Sequence, residues 1–84
     1  MSTYSIELAW RRETPDFDYK TFDRGHTWYL AGGQTVLGSA APEFFGDPAK
    51  SNPEEALLAA LSSCHMLTFL AVAALKKLVV ESYE

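Results

Sequence analysis

The chain has 84 residues, at most one small domain, and a chain this short buries only about 60% of the surface its unfolded form exposes, so extra burial against a partner is expected. Seven Lys and Arg against eleven Asp and Glu give a net charge of −4, with no basic block longer than two, which excludes a nucleic-acid footprint. One Cys excludes an internal disulfide, and one Cys with two His falls short of an ordinary zinc site, so neither metal nor cofactor is expected.

The N-terminus lacks the basic and apolar regions of a signal peptide, and a cytoplasmic location is the expectation. Tyr4, Ile6, Leu8 and Trp10 alternate with Ser5, Glu7 and Ala9, the period-two pattern of a half-buried strand over about 4–10. After a charged turn containing Pro15, the aromatic residues Phe17, Tyr19 and Phe22 predict a second strand over 17–22. Asp23-Arg24-Gly25 then signals a turn, and Gly32-Gly33 separates two further strands over 26–31 and 35–41. Residues 42–50, with two Pro, one Gly and Phe44-Phe45, read as a loop.

Asn52 fits an N-cap with Pro53 at the first helical position and Glu55 completing a capping box, which opens a helix over about 53–77. Lys76 and Lys77 suit its negative end. Residues 56–75 form an uncharged run of 20, long enough to span a bilayer, but Ala, Ser62, Ser63, His65 and Thr68 dilute it. The expectation is a protein-covered helix and no membrane, since the strands need an apolar partner. Residues 78–83 read as the start of another strand. The fold class is therefore α+β: an antiparallel meander packed on one long central apolar helix, in a single domain over 1–84.

The run Ser51-Asn52-Pro53-Glu54-Glu55, followed by Ser62-Ser63-Cys64-His65, resembles the signature of the OsmC/Ohr family, in which N-P-E opens a helix and a Cys follows ten residues after the Glu. The strand ending at Trp10, the Arg24-Gly25 and Gly32-Gly33 turns, and Ser39-Ala40-Ala41-Pro42 are similar to the same family, and Cys64-His65-Met66-Leu67-Thr68 resembles its OsmC-like branch. The resemblance implies reduction of organic hydroperoxides: a thiolate becomes a sulfenic acid, a second Cys resolves it to a disulfide, and a lipoyl-type dithiol reduces that. Family members are roughly twice this long and carry the resolving Cys on a second long helix, so the chain reads as the family's N-terminal half. The alternative is a non-catalytic OsmC-like fragment or small hydrophobic-ligand-binding module.

Cys64 is the candidate peroxidatic thiol; its structural alternative is a small buried hydrophobe. A Cys on an apolar helix stays protonated unless a cation stands beside it. His65 cannot serve, because adjacent helical residues point about 100° apart, and it reads as a packed imidazole. In the Ohr-like pattern an Arg comes from the turn before the second or third strand, which Arg24 matches, with Arg11 and Arg12 in reserve. The OsmC-like pattern has an Arg where this chain has Phe44-Phe45. Arg24 could equally be a solvated turn residue.

Glu54 resembles the family Glu that orients this Arg, and also suits a helix N-terminus for its own sake. Ten positions separate Glu54 from Cys64, roughly 15 Å on one helix. A shared site then needs either Arg24 to bridge a long gap or Glu54 and Cys64 to come from different chains; the second is the expectation, which predicts an intertwined homodimer. The family pocket is apolar, with Phe44, Phe45 and Met66 as candidate lining residues, while Leu57, Leu58, Leu61, Phe69 and Leu70 read as core.

Overall fold

A computed structural model of the chain describes residues 3–84; Met1 and Ser2 of the expected domain lie outside the described residues. Three strands, β1 (Ile6–Ala9), β2 (His26–Leu30) and β3 (Thr35–Gly38), form an antiparallel sheet in the order β1-β2-β3. Leu8 pairs with Trp28 and Trp28 with Val36, so one face carries Ile6, Leu8, His26, Trp28 and Val36 in phase. That is the alternation the sequence displays. A three-residue loop, Ala31-Gly32-Gly33, closes the β2–β3 hairpin, with the Leu30 N–H donating to the Gln34 carbonyl at 2.9 Å.

Residues 17–22 are not a strand. The Thr21 and Phe22 N–H groups both donate to the Asp18 carbonyl, at 3.0 and 2.9 Å, which turns the chain. The reason is visible in the spacing: Phe17 and Phe22 lie five apart, so a strand would send them to opposite faces. The turn sends both to Trp10, with ring centroids 6.0 and 6.3 Å away, and the Trp10 indole N–H fastens the segment by donating to the Asp23 carbonyl at 2.7 Å. Edge-to-face and tilted aromatic pairs at such distances add about 0.5–1.5 kcal/mol each beyond simple burial.

Beyond β3 the chain passes through a short 3-10 helix, Pro42–Phe44, and returns to the sheet edge at Ser51. The Ser39 N–H donates to the Ser51 carbonyl at 2.8 Å and the Ser51 N–H to the Leu37 carbonyl at 3.1 Å. Gly46 makes this return possible, since a Cβ there would lie 1.6 Å from the Ala40 carbonyl oxygen.

The helix α1 (Pro53–Leu75) starts as the sequence predicts, with Pro53 in its first turn and the Asn52 carboxamide oxygen accepting from the Glu55 N–H at 2.8 Å. The Glu55 carboxylate reaches back to the Asn52 side-chain amide at 3.2 Å rather than to its backbone, a variant of the capping box. At the far end Lys77 takes the left-handed conformation, φ 61°, while its N–H donates to the Ala74 carbonyl and that of Leu78 to the Ala73 carbonyl. This pair of bonds is a Schellman motif, with Lys77 where glycine is usual.

Residues 78–83 are therefore turned back along the helix and are not a strand. Tyr83 stacks on Phe69 with centroids 5.7 Å apart and hydrogen-bonds His65 Nδ1 at 3.0 Å. The α+β class, the meander and the single long helix are all present. The contacts between strands are extensive, whereas α1 runs off the sheet, giving a molecule 60 × 29 × 18 Å. Ala41 and Ala73 are buried, but Leu57, Leu58, Leu61 and Leu67 on α1 are each 60–64% exposed. The sheet of the same chain thus leaves the apolar face of its helix bare.

Candidate functional site

Leu8 and Trp10 at the end of β1, the Phe17–Phe22 turn, His26 on β2, Ser39 and Ala40 after β3, and Pro53 at the start of α1 surround a cavity of about 580 Å³. The walls are mainly apolar, because the in-phase sheet face forms one side and the aromatic cluster another. Arg24 and His26 are the chargeable groups on the wall.

Arg24 is half-buried and held from several sides. Its two terminal nitrogens donate to the backbone carbonyls of Phe22, at 2.7 Å, and Tyr19, at 2.5 Å. Its guanidinium carbon lies 3.7 Å from the Phe22 ring centroid and 5.2 Å from that of Phe45. Such stacking contributes about 0.5–2 kcal/mol. Three of the five guanidinium N–H groups have no role in the two carbonyl bonds.

His26 is fixed by its neighbour's backbone. A carbonyl oxygen only accepts, so the 2.8 Å contact between His26 Nδ1 and the Arg24 carbonyl places the proton on Nδ1 and leaves Nε2 as the second site of protonation. The imidazole and the Trp28 indole both rest over Gly38, where a Cβ would come within 2.9 Å of His26 Nε2 and 2.6 Å of Trp28 Nε1.

The residues singled out by the sequence are spread over the molecule. Arg24 lines the cavity. Glu54 lies exposed in the first turn of α1 and is not among the hydrogen-bond partners of Arg24, both of which are carbonyls. Cys64 is an exposed free thiol on α1, eleven positions and roughly 16 Å beyond Pro53 on the cavity wall. Phe44, Phe45 and Met66 do not line the cavity. Phe44 projects from the 3-10 helix at 57% exposure. Phe45, left-handed at φ 64°, packs edge-on against Tyr19 with centroids 5.9 Å apart and backs the Arg24 guanidinium. Met66 is half-buried farther along α1 than Cys64. The reserves Arg11 and Arg12 are exposed; Arg12 donates to the Thr14 and Pro15 carbonyls at 2.7 Å each and stitches its own turn.

Sequence reasoning missed the lining roles of Trp10, His26, Ser39 and Pro53. The signal for His26 is its phase, two residues from Trp28 and two from Arg24. The signal for Ser39 is absent, since its burial follows from the return of Ser51 to the sheet edge.

Residues 46–84 match the family described as OsmC-like protein. A solved structure of an OsmC-like protein of unknown function from Vibrio cholerae is 43% identical, with a TM-score of 0.93; the match covers 100% of this chain and 58% of that one. The chain thus spans 58% of the length of this relative. Among curated proteins none matches.

Proposed function

We propose, on the premise that the chain is OsmC-like in fold throughout and in family signature over residues 46–84, that it serves as a thiol peroxidase for organic hydroperoxides in oxidative-stress defence. The observation that carries this reading is Cys64, an exposed thiol midway along a bare apolar helix within the matched segment. The Cys64 thiolate attacks the distal oxygen of the hydroperoxide, the O–O bond breaks, the sulfur becomes a sulfenic acid and the remaining alkoxide leaves as the alcohol. Arg24 stabilises the thiolate and polarises the peroxide with its uncommitted N–H groups, and Glu54 orients Arg24. A dithiol of lipoyl type returns the oxidised sulfur to the thiol.

Within one chain these three groups do not meet, so the reading includes an intertwined homodimer in which the Cys64 helix of one copy covers the cavity of the other. The exposed leucines of α1 support it, since full burial of one such side chain contributes about 1.5–3 kcal/mol. The same helix is long and apolar enough to cross a membrane. We read it as a protein-facing helix of a cytoplasmic protein, because Ser62, Ser63, His65 and Thr68 break the apolar run.

A second reading, a small hydrophobic-ligand-binding module, is favoured by one observation: the apolar cavity is formed without the cysteine. Stopped-flow oxidation by cumene hydroperoxide, with the sulfenic acid followed by mass, separates the two. Fast oxidation of wild type that vanishes in Cys64→Ser supports the peroxidase. An inert thiol supports the binding module, and a monomer by light scattering at micromolar concentration overturns the two-chain site.

A further inference from the structure

We propose that His26 is a catalytic residue of the same reaction, carrying the proton from the Cys64 thiol to the departing alkoxide. The proposal rests on the peroxidase reading above and adds a proton path to it. An alkyl hydroperoxide releases an alkoxide, which is a poor leaving group until it is protonated, and Arg24 is permanently charged and cannot give up a proton.

Three observations converge on His26. It shares the cavity wall with Arg24. Its Nδ1–H is spent on the Arg24 carbonyl at 2.8 Å, so the ring is held in one orientation and the exchangeable proton belongs to Nε2. Gly38 stands opposite, and its lack of a Cβ, which would approach Nε2 to 2.9 Å, leaves room for the imidazole at the cavity wall. The charged groups around the other side of the ring are Arg11, Glu13, Asp23 and Lys50, which line a separate polar crevice with it.

The balance closes without a further reactant. Nε2 of His26 takes the proton of the Cys64 thiol from the second copy. The thiolate donates an electron pair to the distal peroxide oxygen, the O–O bond breaks, and the imidazolium returns the proton to the alkoxide. One thiol and one hydroperoxide become one sulfenic acid and one alcohol, and His26 ends neutral.

The test compares two oxidants whose leaving groups differ in their need for a proton. Cumene hydroperoxide leaves as an alkoxide; peracetic acid leaves as a carboxylate that needs none. His26→Asn keeps a donor for the Arg24 carbonyl and deletes Nε2. Its single-turnover oxidation should be slower with both oxidants, because the thiol loses its base, and the loss should be at least about tenfold larger with cumene hydroperoxide, whose alkoxide also loses its acid. Equal loss with both oxidants, or no loss with either, overturns the proposal. Wild type supplies a measurement independent of the variant's folding. Across a series of hydroperoxides, its rate should depend weakly on the acidity of the alcohol released, and steep dependence overturns the role of His26. A wild-type chain whose Cys64 is inert to all of them removes the peroxidase reading itself, and the proton path with it.

Discussion

Replacing Lys77 by glycine should stabilise the protein, although it removes a cation from the negative end of a helix. Lys77 sits in the left-handed region at φ 61° as the residue after the cap of α1. For a residue with a side chain this conformation costs about 1–2 kcal/mol, which glycine escapes. Glycine also gives the unfolded chain more freedom, an opposing term of about 0.5–1 kcal/mol. After about 0.3 kcal/mol more for the lost exposed cation, the net gain is about 0.2–0.7 kcal/mol, and in a chain of this length it raises Tm by about 1–6 °C. Lys76 is the control. Its φ is −88°, so Lys76→Gly has no strain to relieve and should lower Tm through the entropy term and the lost cation. Thermal unfolding followed by far-UV circular dichroism measures both, at one fixed protein concentration because association also moves Tm. If Lys77→Gly lowers Tm as Lys76→Gly does, the Schellman assignment and the strain argument are wrong.

Two further perturbations act on the anchors of the site. Asn52→Ala removes the acceptor for the Glu55 N–H and should cost about 1 kcal/mol of stability, with Asn52→Asp recovering most of it, both read by urea unfolding. Arg24→Lys loses the planar group that joins two carbonyls and covers the Phe22 ring; the near-UV signal of the aromatic cluster should weaken and stability fall by about 1–2 kcal/mol, while an unchanged signal would refute a role for Arg24 in holding this turn.

The parts of the fold that local chemistry dictates were legible in the sequence. Alternation marks β1, the Gly32-Gly33 pair marks the hairpin, and Asn52-Pro53 marks the first turn of α1 to the residue. The errors have local causes too. Residues 17–22 carry strand-like composition, but their five-residue spacing serves a distant tryptophan, and composition is blind to that partner. The end of α1 was ambiguous because Lys77 occupies a position that usually declares itself by glycine. The site was the least legible part. Arg24 was singled out by its resemblance to the turn Arg of the Ohr-like pattern, whereas the cavity it lines depends on Trp10, Ser39 and Pro53, brought together from three separate stretches of chain.

The single attachment of α1 has a mechanical consequence. The helix is tied to the sheet beside Gly38 and Ser51 and then extends about 35 Å, so it behaves as a beam clamped at one end. A tilt of about 5° at the clamp displaces the sulfur of Cys64, some 18 Å along the beam, by about 1.5 Å. Reactive geometry tolerates about 0.5 Å. A second support along the beam therefore has to fix the thiol before it can react well, so the rate of Cys64 oxidation should rise with protein concentration as the supporting surface becomes occupied.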